Sequence, residues 1–136
     1  MASYFVTGSS RGIGLGIVQS LAQAPAADVG KVFVSARTET PALTNLVSDS
    51  AGRVESISLD VTSEKIVRKA VQTVERSLGG QAFDVLINNA GIMNHTPKGG
   101  ENMTDLIETF NINVVVDVPG WDYQERDLYG GSERPW

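Results

Sequence analysis

Apolar residues fall in short blocks of two kinds that alternate along the chain. Tyr4-Phe5-Val6, Lys31-Val32-Phe33-Val34-Ser35-Ala36, the stretch from Arg53 to Leu59, and Phe83-Asp84-Val85-Leu86-Ile87 are brief runs rich in β-branched and aromatic residues, and each predicts a strand. Between them Ile13, Leu15, Ile17, Val18, Leu21 and Ala22 recur at helical spacing and stop near Gln23-Ala24-Pro25. Leu43, Leu46 and Val47 do the same between Pro41 and Ser50, where Ala51-Gly52 closes the helix. From Ser63 to Leu78 the set Ile66, Val67, Ala70, Val71, Val74 and Leu78 makes one stripe, with Glu64, Lys65, Arg68, Lys69, Glu75 and Arg76 on a solvated face. Gly79-Gly80 ends it. A further helix is expected from Thr104-Asp105, with Leu106, Ile107, Phe110 and Val114 as its buried stripe. The second strand reads as buried on both faces, as parallel strands are, whereas the third alternates. Strands alternating with helices at this spacing predict right-handed βαβ crossovers and a parallel α/β sheet.

The first strand-to-helix junction is Thr7-Gly8-Ser9-Ser10-Arg11-Gly12-Ile13-Gly14. A turn of this kind exposes backbone N–H groups at a helix N-terminus, where unpaired donors and the macrodipole favour an anion such as a phosphate. Gly8 permits the tight turn, Gly12 lets a pyrophosphate approach the backbone, and Gly14 lets the helix pack close, with Ser10, Arg11 and Ile13 completing the candidate phosphate-binding turn. In an NAD site an acid at the end of the second strand, roughly twenty residues beyond the glycines, holds the ribose hydroxyls. Here that strand ends in Ala36-Arg37, and the first acid is Glu39. A guanidinium without a competing carboxylate suits a 2′-phosphate through bidentate charge-assisted hydrogen bonds, and Arg11 supplies a second positive charge. The pair favours NADP over NAD. The alternative is that both arginines are solvated loop residues.

Composition narrows the field. At 136 residues and 41% hydrophobic content the chain suffices for one domain with a core, but falls short of the two βαβαβ halves of a complete dinucleotide fold. A formal net charge of −5 argues against nucleic acid or an anionic membrane as partner. Cysteine is absent and His95 is the only histidine, which excludes disulfides, thiolate metal sites and a cysteine nucleophile, so no metal site is expected. No apolar run approaches membrane length, and a cytoplasmic location is the default expectation.

The fourth strand runs into Asn88-Asn89-Ala90-Gly91. With Thr-Gly-x-x-x-Gly-x-Gly after the first strand and Asn-Asn-Ala-Gly after the fourth, the segment from Ser3 to Val115 resembles the N-terminal part of the short-chain dehydrogenase/reductase family, most of all its small carbonyl reductases of the sniffer type. The resemblance implies a Rossmann-like, doubly wound parallel sheet, truncated here after about four strands. It also implies an oxidoreductase that moves a hydride between a nicotinamide and a small-molecule carbonyl or alcohol. By the same resemblance Asn89, Ala90 and Gly91 line the cofactor ribose and steady the sheet, and Asp60-Val61 contacts the adenine, the carboxylate accepting from the exocyclic amine. Asp60 equally suits a cap for the next helix. Phe110-Asn111-Ile112-Asn113-Val114 resembles the helix that carries a structural and proton-relay asparagine, with Asn113 as the best match and an ordinary polar helix residue as the alternative. His95, in the loop from Ile92 to Gly100, has no part in that mechanism and reads as a surface residue.

Family members add a strand bearing a serine and a helix bearing Tyr-x-x-x-Lys, whose spacing sets both side chains on one helix face. In that mechanism the tyrosine is the general acid/base, the lysine lowers its pKa and the serine orients the carbonyl. In this chain Tyr123 is followed four residues later by Asp127 and Tyr129 by Glu133, and the last lysine is Lys98. Ser132 comes after both tyrosines. Pro119-Gly120 breaks the helical pattern, and both tryptophans lie beyond it. An incomplete NAD(P)-binding domain over 1–116 is therefore expected, followed by an out-of-family, mostly irregular tail over 117–136, as a shifted reading frame, a retained intron or an alternative splice would produce. Three functional readings follow: an NADP-dependent oxidoreductase, impaired or inactive for want of Ser and Tyr-x-x-x-Lys; a non-catalytic NADP(H)-binding module; or an unstable truncated product. The oligomeric state is left open.

Overall fold

The computed structural model describes residues 1–93 and 105–115. In chain order come β1 (Ala2–Val6), α1 (Gly12–Gln23), β2 (Val29–Ala36), α2 (Pro41–Asp49), β3 (Val54–Ser58), α3 (Glu64–Ser77) and β4 (Val85–Ile87). A short α4 (Leu106–Phe110) then leads into a π-helical turn, Asn111–Val115. The strands form one parallel sheet in the order β3-β2-β1-β4. The chain starts inside the sheet, works outward to β3, and returns through α3 to lay β4 on the other side of β1. Right-handed crossovers run in opposite directions must place their helices on opposite faces. The result is the doubly wound, Rossmann-like sheet that the alternation of elements predicts.

The period of two along each strand sorts residues between the faces. Even-numbered Val6, Val32, Val34 and Val54 meet Val18 of α1 and Leu43 of α2 in one core. Odd-numbered Phe5, Phe33 and Ile57 meet Val67, Ala70 and Val74 of α3 in the other. Val29 joins the first core despite its odd number, because the β1–β2 register slips between Ala2 and Ser3 and resets the parity at Gly30. Burial of β2 is continuous from Val32 to Ala36, as a strand covered on both faces requires.

Local chemistry fixes the helix ends. Thr40 caps α2, its hydroxyl accepting from the Leu43 N–H at 3.4 Å, with Pro41 in the first turn. The Arg53 guanidinium donates to the carbonyls of Leu21, Ala22 and Ala24 and so neutralises the C-terminal end of α1.

Three expectations about burial need correction. In α3, Ile66 and Val71 are exposed, since Val67, Ala70 and Val74 alone fill the ridge that meets the sheet. Ile13 is 78% exposed, because α1 opens at Gly12 and its first turn stands above the sheet rather than against it. The expected buried stripe of α4 is exposed at Leu106, Ile107 and Phe110, and Ile112 is the residue that is buried. The π-helical turn admits one extra residue per turn, which rotates the register and carries the inward-facing position to Ile112. The side chain of Val114, the loop around His95 and the tail over 117–136 lie outside the described residues.

Candidate functional site

The strand order reverses between β1 and β4, and in open parallel sheets the crevice outside the carboxyl ends of the strands at such a point is where ligands bind. Both sequence motifs converge there. Thr7 leaves β1 and Asn89 follows β4, and one hydroxyl joins them: Thr7 Oγ1 accepts from the N–H groups of Asn89 and Ala90 at 2.9 and 3.0 Å and donates to the Ile87 carbonyl at 3.4 Å. The Asn89 amide returns the tie, donating at 3.0 Å to each of the Thr7 and Gly8 carbonyls. The turn is also held from its other side, where the Ser9 N–H donates to the Ser35 carbonyl and the Ser9 hydroxyl to the Val6 carbonyl.

Two glycines are required by this closeness. Gly8 has φ +67°, and a Cβ there would stand 2.7 Å from the Ala90 Cα. A Cβ on Gly14 would stand 2.3 Å from the Gly8 carbonyl oxygen and 2.5 Å from Asn89 Nδ2. The close approach at Gly14 is thus to the turn and to the asparagine more than to the strand.

Above the turn lies a cleft of about 580 Å³. It is lined by Gly8, Ser10, Arg11, Gly12, Ile13 and Gly14 from the turn, by Arg37 beyond β2, by Asp60 and Val61 beyond β3, and by Asn89, Ala90 and Gly91 beyond β4. Every position that the sequence nominates for a dinucleotide therefore faces one space. Space is open over Gly12, where an added Cβ would meet nothing within 4 Å, so a ligand can come up to the backbone there.

Of the two acids nearby, Asp60 lines the cleft and Glu39 does not. Asp60 Oδ1 accepts from the Thr62 hydroxyl at 2.7 Å and the Thr62 N–H at 3.0 Å, and these bonds, with the charge of Arg37, hold its carboxyl below the ordinary aspartate value. It closes an Asx turn ahead of α3 rather than capping the helix, whose N-cap is Ser63. Glu39 accepts at Oε1 from the Ser56 hydroxyl of β3 at 2.8 Å and lies off the cleft lining.

Asn113 stands behind the cleft. Its Oδ1 accepts from the Ile92 N–H at 2.8 Å and its Nδ2 donates to the Ile92 carbonyl at 2.7 Å, which pins the segment after β4 to the π-helical turn. Ile112 beside it lines the cleft. Among the described residues no group of His, Asp and Glu is placed to hold a metal ion, and no helix is long and apolar enough to cross a membrane.

Residues that sequence reasoning passed over do much of the tying. Thr7 was visible only as the first letter of a motif. Thr40, whose hydroxyl donates to the Ser10 carbonyl at 2.8 Å, left no signal beyond its suitability as a helix cap, yet it links the turn to the segment that carries Arg37.

Comparison with known proteins agrees with this geometry. The model of the short chain dehydrogenase family matches residues 3–118. Farnesol dehydrogenase of Aedes aegypti is 36% identical over 111 residues, 81% of this chain and 44% of that protein. Among solved structures, the NADPH-bound carbonyl reductase from chicken fatty liver superposes with a TM-score of 0.70 at 30% identity, covering 85% of this chain and 44% of that one. The carbonyl reductase Sniffer of D. melanogaster gives a TM-score of 0.73 at 28% identity, with 85% and 47% covered. The chain spans less than half the length of these curated relatives. With both motifs meeting at the switch point of a doubly wound sheet, the chain belongs to the short chain dehydrogenase family.

Proposed function

We propose that the chain is the cofactor-holding half of an NADP(H)-dependent oxidoreductase acting on a small-molecule carbonyl or alcohol. The observation that carries the choice of cofactor is the placement of Arg37 and Arg11 on one cleft while Glu39 lies off it. Two arginines lining the same cleft favour a ribose that bears a 2′-phosphate. In this reading Gly8 through Gly14 hold the pyrophosphate, Asp60 and Val61 flank the adenine, and Asn89, Ala90 and Gly91 border the nicotinamide-side ribose. The cofactor, when bound, supplies or accepts the hydride. Asn113 keeps the floor of that ribose site in place and stands where the family's relay asparagine is expected.

The cofactor-binding region in this proposal is 1–116, with 117–136 outside it. Among the 136 residues neither tyrosine beyond the site is followed at the fourth position by lysine, so these residues by themselves bind cofactor without turning it over. Calorimetric titration with NADPH and NADH tests the reading. NADPH binds more tightly, and Arg37→Ala weakens NADPH by roughly 10- to 100-fold, the worth of a charge-assisted pair, while leaving NADH nearly unchanged. Equal affinity for the two cofactors overturns the NADP(H) assignment.

A further inference from the structure

Glu39 follows Arg37 by two residues, on the exposed stretch between β2 and α2. A carboxylate free in this neighbourhood repels a 2′-phosphate and competes for the guanidinium that would bind it. The structure turns it away. Arg37, Thr38 and Thr40 line the cleft, but the carboxylate of Glu39 reaches across to β3 and accepts the Ser56 hydroxyl at 2.8 Å. Ser56 sits opposite Val34 in the β2–β3 register, so its position is set by the sheet and not by a loop. Among the described residues no ion pair within 4 Å holds Arg37; its charge also acts on Asp60, whose Oδ1 is bonded to Thr62.

We infer that Ser56 is a specificity-determining positioning residue, whose hydroxyl holds the Glu39 carboxylate on β3 and leaves Arg37 open to the cofactor's 2′-phosphate. The inference rests on the NADP(H) reading above and adds to it the group that keeps the acid out of the site. Without the hydroxyl, the glutamate side chain returns to rotamers that face Arg37. The penalty falls on a ligand carrying the extra phosphate. NADH escapes it, because its 2′-hydroxyl tolerates a nearby carboxylate. The groups are exposed and screened, so the effect is on the order of threefold in affinity.

The test is titration of the full chain and its variants with NADPH and with NADH. Ser56→Ala is expected to lower NADPH affinity about threefold relative to NADH, and Glu39→Gln added to it restores the original ratio. An unchanged ratio in Ser56→Ala, or an equal loss for both cofactors that Glu39→Gln fails to restore, overturns the role of Ser56 while the NADP(H) reading stands. An unaltered chain that does not distinguish NADPH from NADH overturns that reading, and this inference with it. Ser56→Thr and Ser56→Val provide a second pair, nearly isosteric, both suited to a strand and differing in the hydroxyl. Threonine keeps the ratio and valine loses it; the same ratio in both overturns the proposal.

Discussion

The two faces of the sheet are made from alternate residues of the same strands, yet they are closed to different degrees. On the face of α1 and α2, Val6, Val18, Val32, Val34 and Leu43 have no exposed surface. On the face of α3, Phe5 and Leu86 floor a hollow of about 460 Å³ that stays open between α3 and the 80–83 segment. The difference follows from chain order. α1 and α2 each lie within a crossover between neighbouring strands, so the elements that cover the first face are next to it in sequence. On the second face α3 covers what it crosses, and the region under β4 depends on whatever follows β4. A further parallel strand outside β4, reached by a right-handed crossover, would bring its helix to that same face.

The sharpest way to break the comparison is to empty the closed face. Leu43 is fully buried against Val34 and Val54 in a core sealed by two helices. Leu43→Ala should cost about 3 kcal/mol in unfolding by urea, within the 2–5 kcal/mol range for buried leucine truncations, because the flanking β-branched residues are stiff and collapse poorly into a void. A loss below about 1 kcal/mol would mean that the closed face is no better packed than the open one.

Next in size is Gly14, where α1 meets the turn above the closed face. An added methyl would collide with the Gly8 backbone carbonyl and with the Asn89 side-chain amide, which its bonds to the Thr7 and Gly8 carbonyls hold in place. Gly14→Ala should therefore destabilise by about 2 kcal/mol through overpacking, against the usual gain for such a change in a helix interior. On the proposed function it should also weaken NADPH, because the displaced groups shape the turn assigned there to the pyrophosphate. A stabilised variant with unimpaired cofactor binding would show that the turn can move aside.

What the sequence made legible follows the same divide. Short β-rich runs alternating with helical stripes predicted the four strands and the parallel α/β sheet, and the glycine and asparagine motifs landed on one cleft. These are local patterns repeated within a few residues. The bonds that hold the site and the elements around it join residues far apart in the chain: Thr7 with Asn89, Thr40 with Ser10, Arg53 with the end of α1, Ser56 with Glu39. A lone serine or threonine has no periodicity, so nothing in its neighbourhood marks which distant carbonyl or carboxylate it will meet. The α4 stripe failed for a second reason. Spacing shows which side of a helix is apolar but not what covers it, and the π-helical turn then shifts the inward position.

The smallest expected effect is in α4. Ile107 is 78% exposed in α4, a helix too short to hold itself together by its own hydrogen bonds. Ile107→Ala removes little that is buried and replaces a β-branched residue with a better helix former, so unfolding should change by less than about 0.5 kcal/mol. The contrast with Leu43→Ala at about 3 kcal/mol would then measure the difference between the sealed core and the exposed α4 with residues of the same size. A loss of more than about 1.5 kcal/mol would instead show that the apolar side of α4 is covered in solution. Repeating Ile107→Ala in a Val71→Ser background, which makes the hollow polar, separates the remaining cases. If α4 seats in that hollow, the two losses are less than additive; if it seats elsewhere, they add within about 0.5 kcal/mol.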